Sequence, residues 1–260
     1  MTRFELLLRL AENQSIRSLD LSMFDTRDIA QVALHRTEVL GDVPDWKRAV
    51  RTWVRGDEAP MLDIATAFGP ALLRRAAAAV FLEYRALRPL LKQLSPRTIA
   101  DIGCGYGFFG LLAQADLGAS LTLIDTERSD ERRMRFSETG AACADLAVAR
   151  RFLLANGCPA SRLRTLNPQT ADITALRNID LAVSFLACGF LFPIDAYRDF
   201  FAASVRPGGS VLLDIRSRLV TSVVRPLAGL GEMQRLSMAA DGKAMRFQLV
   251  TSPSALSQAA

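Results

Sequence analysis

The chain is poorest in the residues that build metal centres and disulfide frameworks. Its 260 residues include one histidine, His35, and four cysteines, Cys104, Cys143, Cys158 and Cys188, none in a C-x-x-C pair. A structural zinc site needs Cys or His ligands in close pairs, so no metal site is expected, and scattered thiols of this kind read as reduced. Continuous apolar sequence is also short. The longest run, "LAVSFLACGFLF" from Leu181 to Phe192, falls well below the roughly 20 residues that cross a bilayer and reads as a buried strand with its loop. The opening "MTRFELLLRLAENQ" carries Arg3, Glu5 and Arg9 inside its apolar stretch, unlike a secretory signal. These absences predict a cytoplasmic protein with no membrane segment.

Charge of one sign is not concentrated anywhere. Lys and Arg number 32 against 27 Asp and Glu, a net charge of +5. That balance permits RNA as a partner without the dense basic stripe, interleaved with aromatics, that a nucleic-acid surface shows. The densest cluster, "TERSDERRMRFSE" at 126 to 138, mixes both signs and reads as a solvated loop or helix face. With 50% hydrophobic residues the chain has ample material for a folded core.

Two textures divide the sequence. Residues 1–94 look helical throughout. "PDWKRAVRTWVRG" spaces Trp46, Ala49, Val50, Trp53 and Val54 along one helical stripe, a pattern that serves packing or, alternatively, lines a substrate. "PALLRRAAAAVFLEYRALR" opens at Pro70, and Pro89 is expected to break or kink it. From Thr98 short β-rich runs alternate with helices: "TIADIG", "SLTLID", "RLRTL", "NIDLAVSFLA" and "PGGSVLLDIR" are strands, and a helix is expected over 140–157. A DG turn at Asp241-Gly242 closes a final hairpin. Alternating strands and helices predict an α/β fold with a doubly wound, mostly parallel sheet and an antiparallel C-terminal hairpin, preceded by an N-terminal helical segment. The expected organisation is a helical cap or substrate region over 1–94, a nucleoside-binding domain over 95–252 and a flexible tail over 253–260.

The chemistry concentrates after the first strand, in "TIADIGCGYGFFGLL". In an open parallel sheet ligands sit beyond the carboxyl ends of the strands where strand order reverses, and the loop Gly103 to Gly107 occupies that place. Gly105, Gly107 and Gly110 satisfy G-x-G-x-x-G, which alone would suit a dinucleotide. Asp101, two residues before Gly103, argues against it: a carboxylate gains nothing beside a pyrophosphate and much beside a cation.

The string "IADIGCGYG" resembles the first motif of class I S-adenosylmethionine (SAM) dependent methyltransferases. "LTLIDTE" ending at Asp125, "TADITAL" with Asp172, "NIDLAVSF" from Asp180, "SVRPGGSVLLDI" and the final hairpin resemble the family's later motifs, in order, over residues 98 to 252. The resemblance implies a seven-stranded sheet, SAM as cofactor and methyl transfer as the activity. It further implies that Gly103, Cys104, Gly105, Tyr106 and Gly107 meet the methionine and ribose part, Asp101 the amino end, Asp125 with Thr126 the ribose hydroxyls, and Asp172 with Ile173 the adenine. Each has a plainer reading: Asp101 hydrogen-bonds its own turn, Asp125 caps the next helix, Asp172 caps "ITALR". Cys188 is a nucleophile or a small apolar filler.

A methyl acceptor that is an oxygen needs a base, and Glu127, Tyr106 and His35 are the candidates. The helical segment before the first strand resembles the caps of small-molecule methyltransferases. The sequence after the fourth strand, "SFLACGF", lacks the Asn/Asp-Pro-Pro-aromatic motif tied to exocyclic amines. A small-molecule substrate is the leading expectation. RNA or protein methylation, and an NAD(P)-binding oxidoreductase or a non-catalytic nucleotide-binding relative, are the alternatives.

Overall fold

A computed structural model describes residues 1–127, 131–133, 135–137, 141, 144–239 and 242–252. Cys143, residues 128–130, 134 and 138 of the mixed-charge cluster, Asp241 of the DG turn and the tail 253–260 lie outside them.

The N-terminal segment is helical, as its sequence pattern predicts: α1 (Arg3–Ala11), α2 (Gln14–Arg17), α3 (Thr26–His35), α4 (Trp46–Val54) and α5 (Ala59–Leu94). Helices α1 and α3 begin with reciprocal capping boxes, Thr2 with Glu5 and Asp25 with Asp28, which satisfy the amides their first turns leave open. Helix α5 is 36 residues long. Its direction changes at Gly69, whose backbone is non-helical just before Pro70. The expected break at Pro89 does not occur. The helix runs on to Leu94 because Leu87 and Leu91, either side of the proline, are both buried, and tertiary packing outweighs the lost hydrogen bond. By length and composition α5 could cross a membrane; here it packs against α1, α3 and α4 as a core helix. Trp53 is buried in that core and Trp46 is half-buried against it.

Beyond Ser95 lie β1 (Thr98–Ile102), α6 (Phe108–Leu117), β2 (Ser120–Ile124), α7 (Leu146–Ala155), β3 (Leu163–Leu166), β4 (Ile179–Ser184), α8 (Asp195–Ser204), β5 (Val205–Arg216), β6 (Gly231–Ala239) and β7 (Ala244–Thr251). Helix α7 starts six residues later than the sequence pattern suggested, because the Asp145 carboxylate accepts from the amides of Ala147 and Val148 and fixes the first turn there. The seven strands form one sheet in the order β3-β2-β1-β4-β5-β7-β6; β7 runs antiparallel to β5 and to β6, and the rest are parallel. Strand order reverses between β1 and β4, which is where ligands of such sheets bind.

Alternation along the strands sorts the core into two layers. Ile99, Leu121, Leu123, Leu181, Val183 and Leu212 face a cluster that also contains α6, α7 and the N-terminal helices. Ala100, Ile102, Ile124, Ala182, Val211 and Leu213 face α8. The N-terminal helices therefore share a core with the sheet, and α3 and α5 are held against the mouth of β1.

Candidate cofactor and acceptor cavity

A cavity of about 780 Å³ opens above the carboxyl ends of β1, β2 and β4 and reaches α3 and α5. That size suits a small organic ligand. Its floor is the turn after β1. Three of the glycines there serve packing. A Cβ on Gly103 would collide with the Ala187 side chain, one on Gly107 would lie 2.7 Å from Leu153, and one on Gly110 would press Leu123 and Leu121 at 3.1 and 3.3 Å. Gly105 differs. Its φ is +56° and a Cβ would meet nothing within 4 Å, so the bare backbone faces open cavity.

Two carboxylates flank that opening. Asp101 is 4% exposed and its Oδ2 is buried without a hydrogen-bond partner among the described residues. Burial, reinforced by Asp125, raises its pKa to about 7. Asp125 is 7% exposed; its Oδ2 accepts from the Gly105 amide and its Oδ1 from the Glu127 amide, both at 3.0 Å. Those bonds oppose the effect of burial, which still lifts its pKa to about 6. Asp125 thus clamps the glycine turn while lining the cavity. Between the two, burial and both carboxylates hold the Cys104 thiol well above its usual range, so it stays protonated.

Tyr106 also lines the cavity, but its hydroxyl donates to Asp28 Oδ1 at 2.8 Å, tying the turn to α3. Phe24, before α3, packs its ring 5.2 Å from that of Tyr106, and Phe108 and Phe152 complete the aromatic contact. His35, at the end of α3, presents its ring to the cavity. Its side chain is exposed, and contact with the cavity wall together with the neighbouring Arg36 cation lowers its pKa.

Other predicted site residues lie elsewhere. Glu127 is not on the cavity wall: its Oε1 accepts from the Leu146 amide at 3.1 Å and its Oε2 from Asn167 Nδ2 at 2.8 Å, fastening the start of α7 to the loop after β3. Asp172 is exposed, and its Oδ1 accepts from the Thr174 amide and hydroxyl at 2.8 and 2.6 Å as the cap of a short helical turn. Ile173 is buried in the layer facing α8. The residues that do reach the cavity from that loop are Pro168 and Gln169. Cys188 is fully buried with its Sγ donating to the Pro193 carbonyl, and burial pushes its thiol pKa up, which suits the filler reading. Thr126 lines the wall beside Asp125.

Sequence reasoning did not single out the far wall of the cavity, made by Gln31, Arg36, Glu83, Phe185 and Arg246. The one available signal was a charged residue, Arg246, inside a largely apolar strand, matched by Asp214 in β5.

No family model matches the chain, and neither does any curated protein. Solved structures do. The S-adenosylmethionine-dependent methyltransferase SibL in its apo form is 15% identical, covering 85% of this chain and 74% of its own, with a TM-score of 0.53. An O-methyltransferase-like protein from Nostoc punctiforme is 12% identical, covering 87% and 72%, with a TM-score of 0.50. The chain has the class I methyltransferase fold. The residues around Gly105, at the β1/β4 reversal, fit a cationic nucleoside thioether. The orphaned Asp101 oxygen wants a positive partner, and the glycine backbone leaves the space for one.

Proposed function

We propose that the protein is a SAM-dependent methyltransferase acting on an oxygen of a small molecule. One observation carries the reading: a buried carboxylate oxygen on Asp101, without a partner among the described residues, beside an open glycine turn that a second carboxylate, Asp125, holds in place. An anionic pyrophosphate would meet two carboxylates there, which disfavours the dinucleotide alternative.

When bound, SAM supplies an activated methyl group on a sulfonium. The chain's own residues supply the setting. Asp101 holds the positively charged end of the cofactor and gains the counter-ion it lacks. Asp125 keeps the Gly105 amide oriented and offers its remaining lone pairs to a vicinal diol. The helices α3 and α5 close the opposite wall, which excludes water and aligns the reactants; such alignment is worth up to about 7–11 kcal/mol of barrier. His35, which lines the cavity, is the group we assign to take the proton from an attacking hydroxyl. Tyr106 has its hydroxyl committed to Asp28, and Glu127 stands outside the cavity.

Calorimetric titration with SAM, S-adenosylhomocysteine and NADH tests the assignment. SAM and S-adenosylhomocysteine should bind and NADH should not. Binding of NADH without SAM would end this reading, and RNA binding that weakens steeply with salt would move the acceptor to the nucleic-acid alternative.

A further inference from the structure

Away from the glycine turn the cavity is walled by Val80 and Leu87 of α5, Phe109 of α6 and Phe185 after β4. One buried guanidinium enters this apolar chamber. Arg246, in β7, is 3% exposed and lines the cavity. Its Nε and Nη2 donate side-on to the two oxygens of Asp214 at 2.6 and 2.7 Å. Its guanidinium carbon stands 4.5 Å from the centre of the Phe185 ring, which itself meets Phe109 edge-on at 4.8 Å. The group is fixed along one edge by a carboxylate and on one face by a ring. Its third nitrogen, Nη1, has no hydrogen-bond partner among the described residues, yet it is not sealed off. In a residue so buried, that accessible donor faces the cavity.

The charges around it are already matched. Arg246 is paired with Asp214, and Arg36 donates to Glu83 at 3.0 and 3.1 Å and to Glu38 at 3.2 Å. Arg3 adds a further cation 3.8 Å from Glu83. A second carboxylate entering here would bring an uncompensated charge into a low-dielectric chamber. A neutral oxygen would receive a charge-assisted hydrogen bond without that penalty.

We propose that this chamber is the acceptor subsite for an uncharged aromatic compound, with Arg246 Nη1 donating to one of its oxygens. Arg246 is then the specificity-determining residue, and Asp214 and Phe185 position it. The proposal rests on the methyltransferase reading, which S-adenosylhomocysteine binding to the wild-type chain checks separately.

The test is calorimetry on the full chain saturated with S-adenosylhomocysteine, with para-hydroxyacetophenone and para-hydroxybenzoate as probes near neutral pH. The two share a phenol ring and differ in charge. The neutral ketone should bind at least about tenfold more tightly than the carboxylate, the scale of one charge-assisted hydrogen bond. In the double variant Arg246→Met/Asp214→Leu, which removes both charges and strands neither, affinity for the ketone should fall by about tenfold while S-adenosylhomocysteine affinity holds. Tighter binding of the benzoate, no binding of either probe, or ketone affinity unchanged in the double variant would overturn the proposal. If the double variant does not fold, the wild-type comparison of the two probes decides alone. Failure of the wild type to bind S-adenosylhomocysteine would instead overturn the methyltransferase reading beneath it.

Discussion

The two halves of the cavity treat charge in opposite ways. Around the glycine turn, Asp101 and Asp125 are buried with no cation paired to them among the described residues, and both carboxyls have raised pKa values. Across the cavity, Arg246 with Asp214 is buried and Arg36 with Glu83 half-buried, each as a closed pair. A buried charge without a partner is costly, so a fold that keeps one is holding it for something that arrives from outside. A closed pair needs no further counter-ion and sets shape and hydrogen-bond direction instead. The first half is built to be completed by a cation, the second to sort neutral molecules.

The same mutation should therefore have different consequences on the two sides. The largest effect belongs to the open glycine. Gly105→Val fills the space above the turn and places a β-branched residue at φ +56°, so SAM binding should be lost while the fold survives, read by calorimetry alongside a thermal melt. Unchanged affinity would put the cofactor elsewhere. Next comes Asp214→Asn. It leaves the Arg246 guanidinium buried without its counter-ion and should cost about 3–5 kcal/mol in denaturant unfolding. Asp101→Asn, an identical chemical change, should leave stability unchanged or higher near pH 8, since it removes an uncompensated charge, while weakening SAM by about tenfold. If both variants were equally destabilised, the contrast between the halves would fail.

The pH dependence sharpens the same contrast. Asp101 and Asp125 titrate at about 7 and about 6 in the folded chain, above the ordinary carboxylate range. Between pH 4 and 7 the folded state holds more protons than the unfolded one, so stability from these groups is present at low pH and is lost as pH rises. SAM affinity should run the other way, increasing by about tenfold as the two carboxyls ionise through that range. The melting temperature of the free protein should fall with pH while the shift produced by saturating SAM grows. Parallel curves would show that neither carboxylate meets the cofactor.

Much of this was legible in the sequence because it is local. Strand-helix alternation, the glycine turn and the two carboxylates at the ends of β1 and β2 are short-range patterns, and the fold follows them. What was hidden is what depends on distant segments meeting. Arg246 and Asp214 lie 32 residues apart and become one group only through the β5/β7 register. His35 and Glu83 reach the cavity only because α3 and α5 pack over the sheet. Glu127 read as a base from its position after β2; a left-handed φ of 66° and two hydrogen bonds turn it into a strut for α7. Pro89 read as a break or a kink, and buried leucines on both sides carried the helix past it.

The smallest predicted effect lies in the loop after β3. Sequence pattern put the adenine contact at Asp172, whereas the cavity wall there is Pro168 and Gln169, and the Asp172 carboxylate is committed to Thr174. Asp172→Ala removes an exposed cap at some distance from the cavity, so SAM affinity should stay within about twofold of wild type. Gln169→Ala removes a wall group and should weaken SAM several-fold more than that. Calorimetry on the two variants side by side reads the difference, and a larger loss from Asp172→Ala would mean that the loop rearranges around the cofactor and that the capping bond seen in the free chain is exchanged for a contact with the ligand.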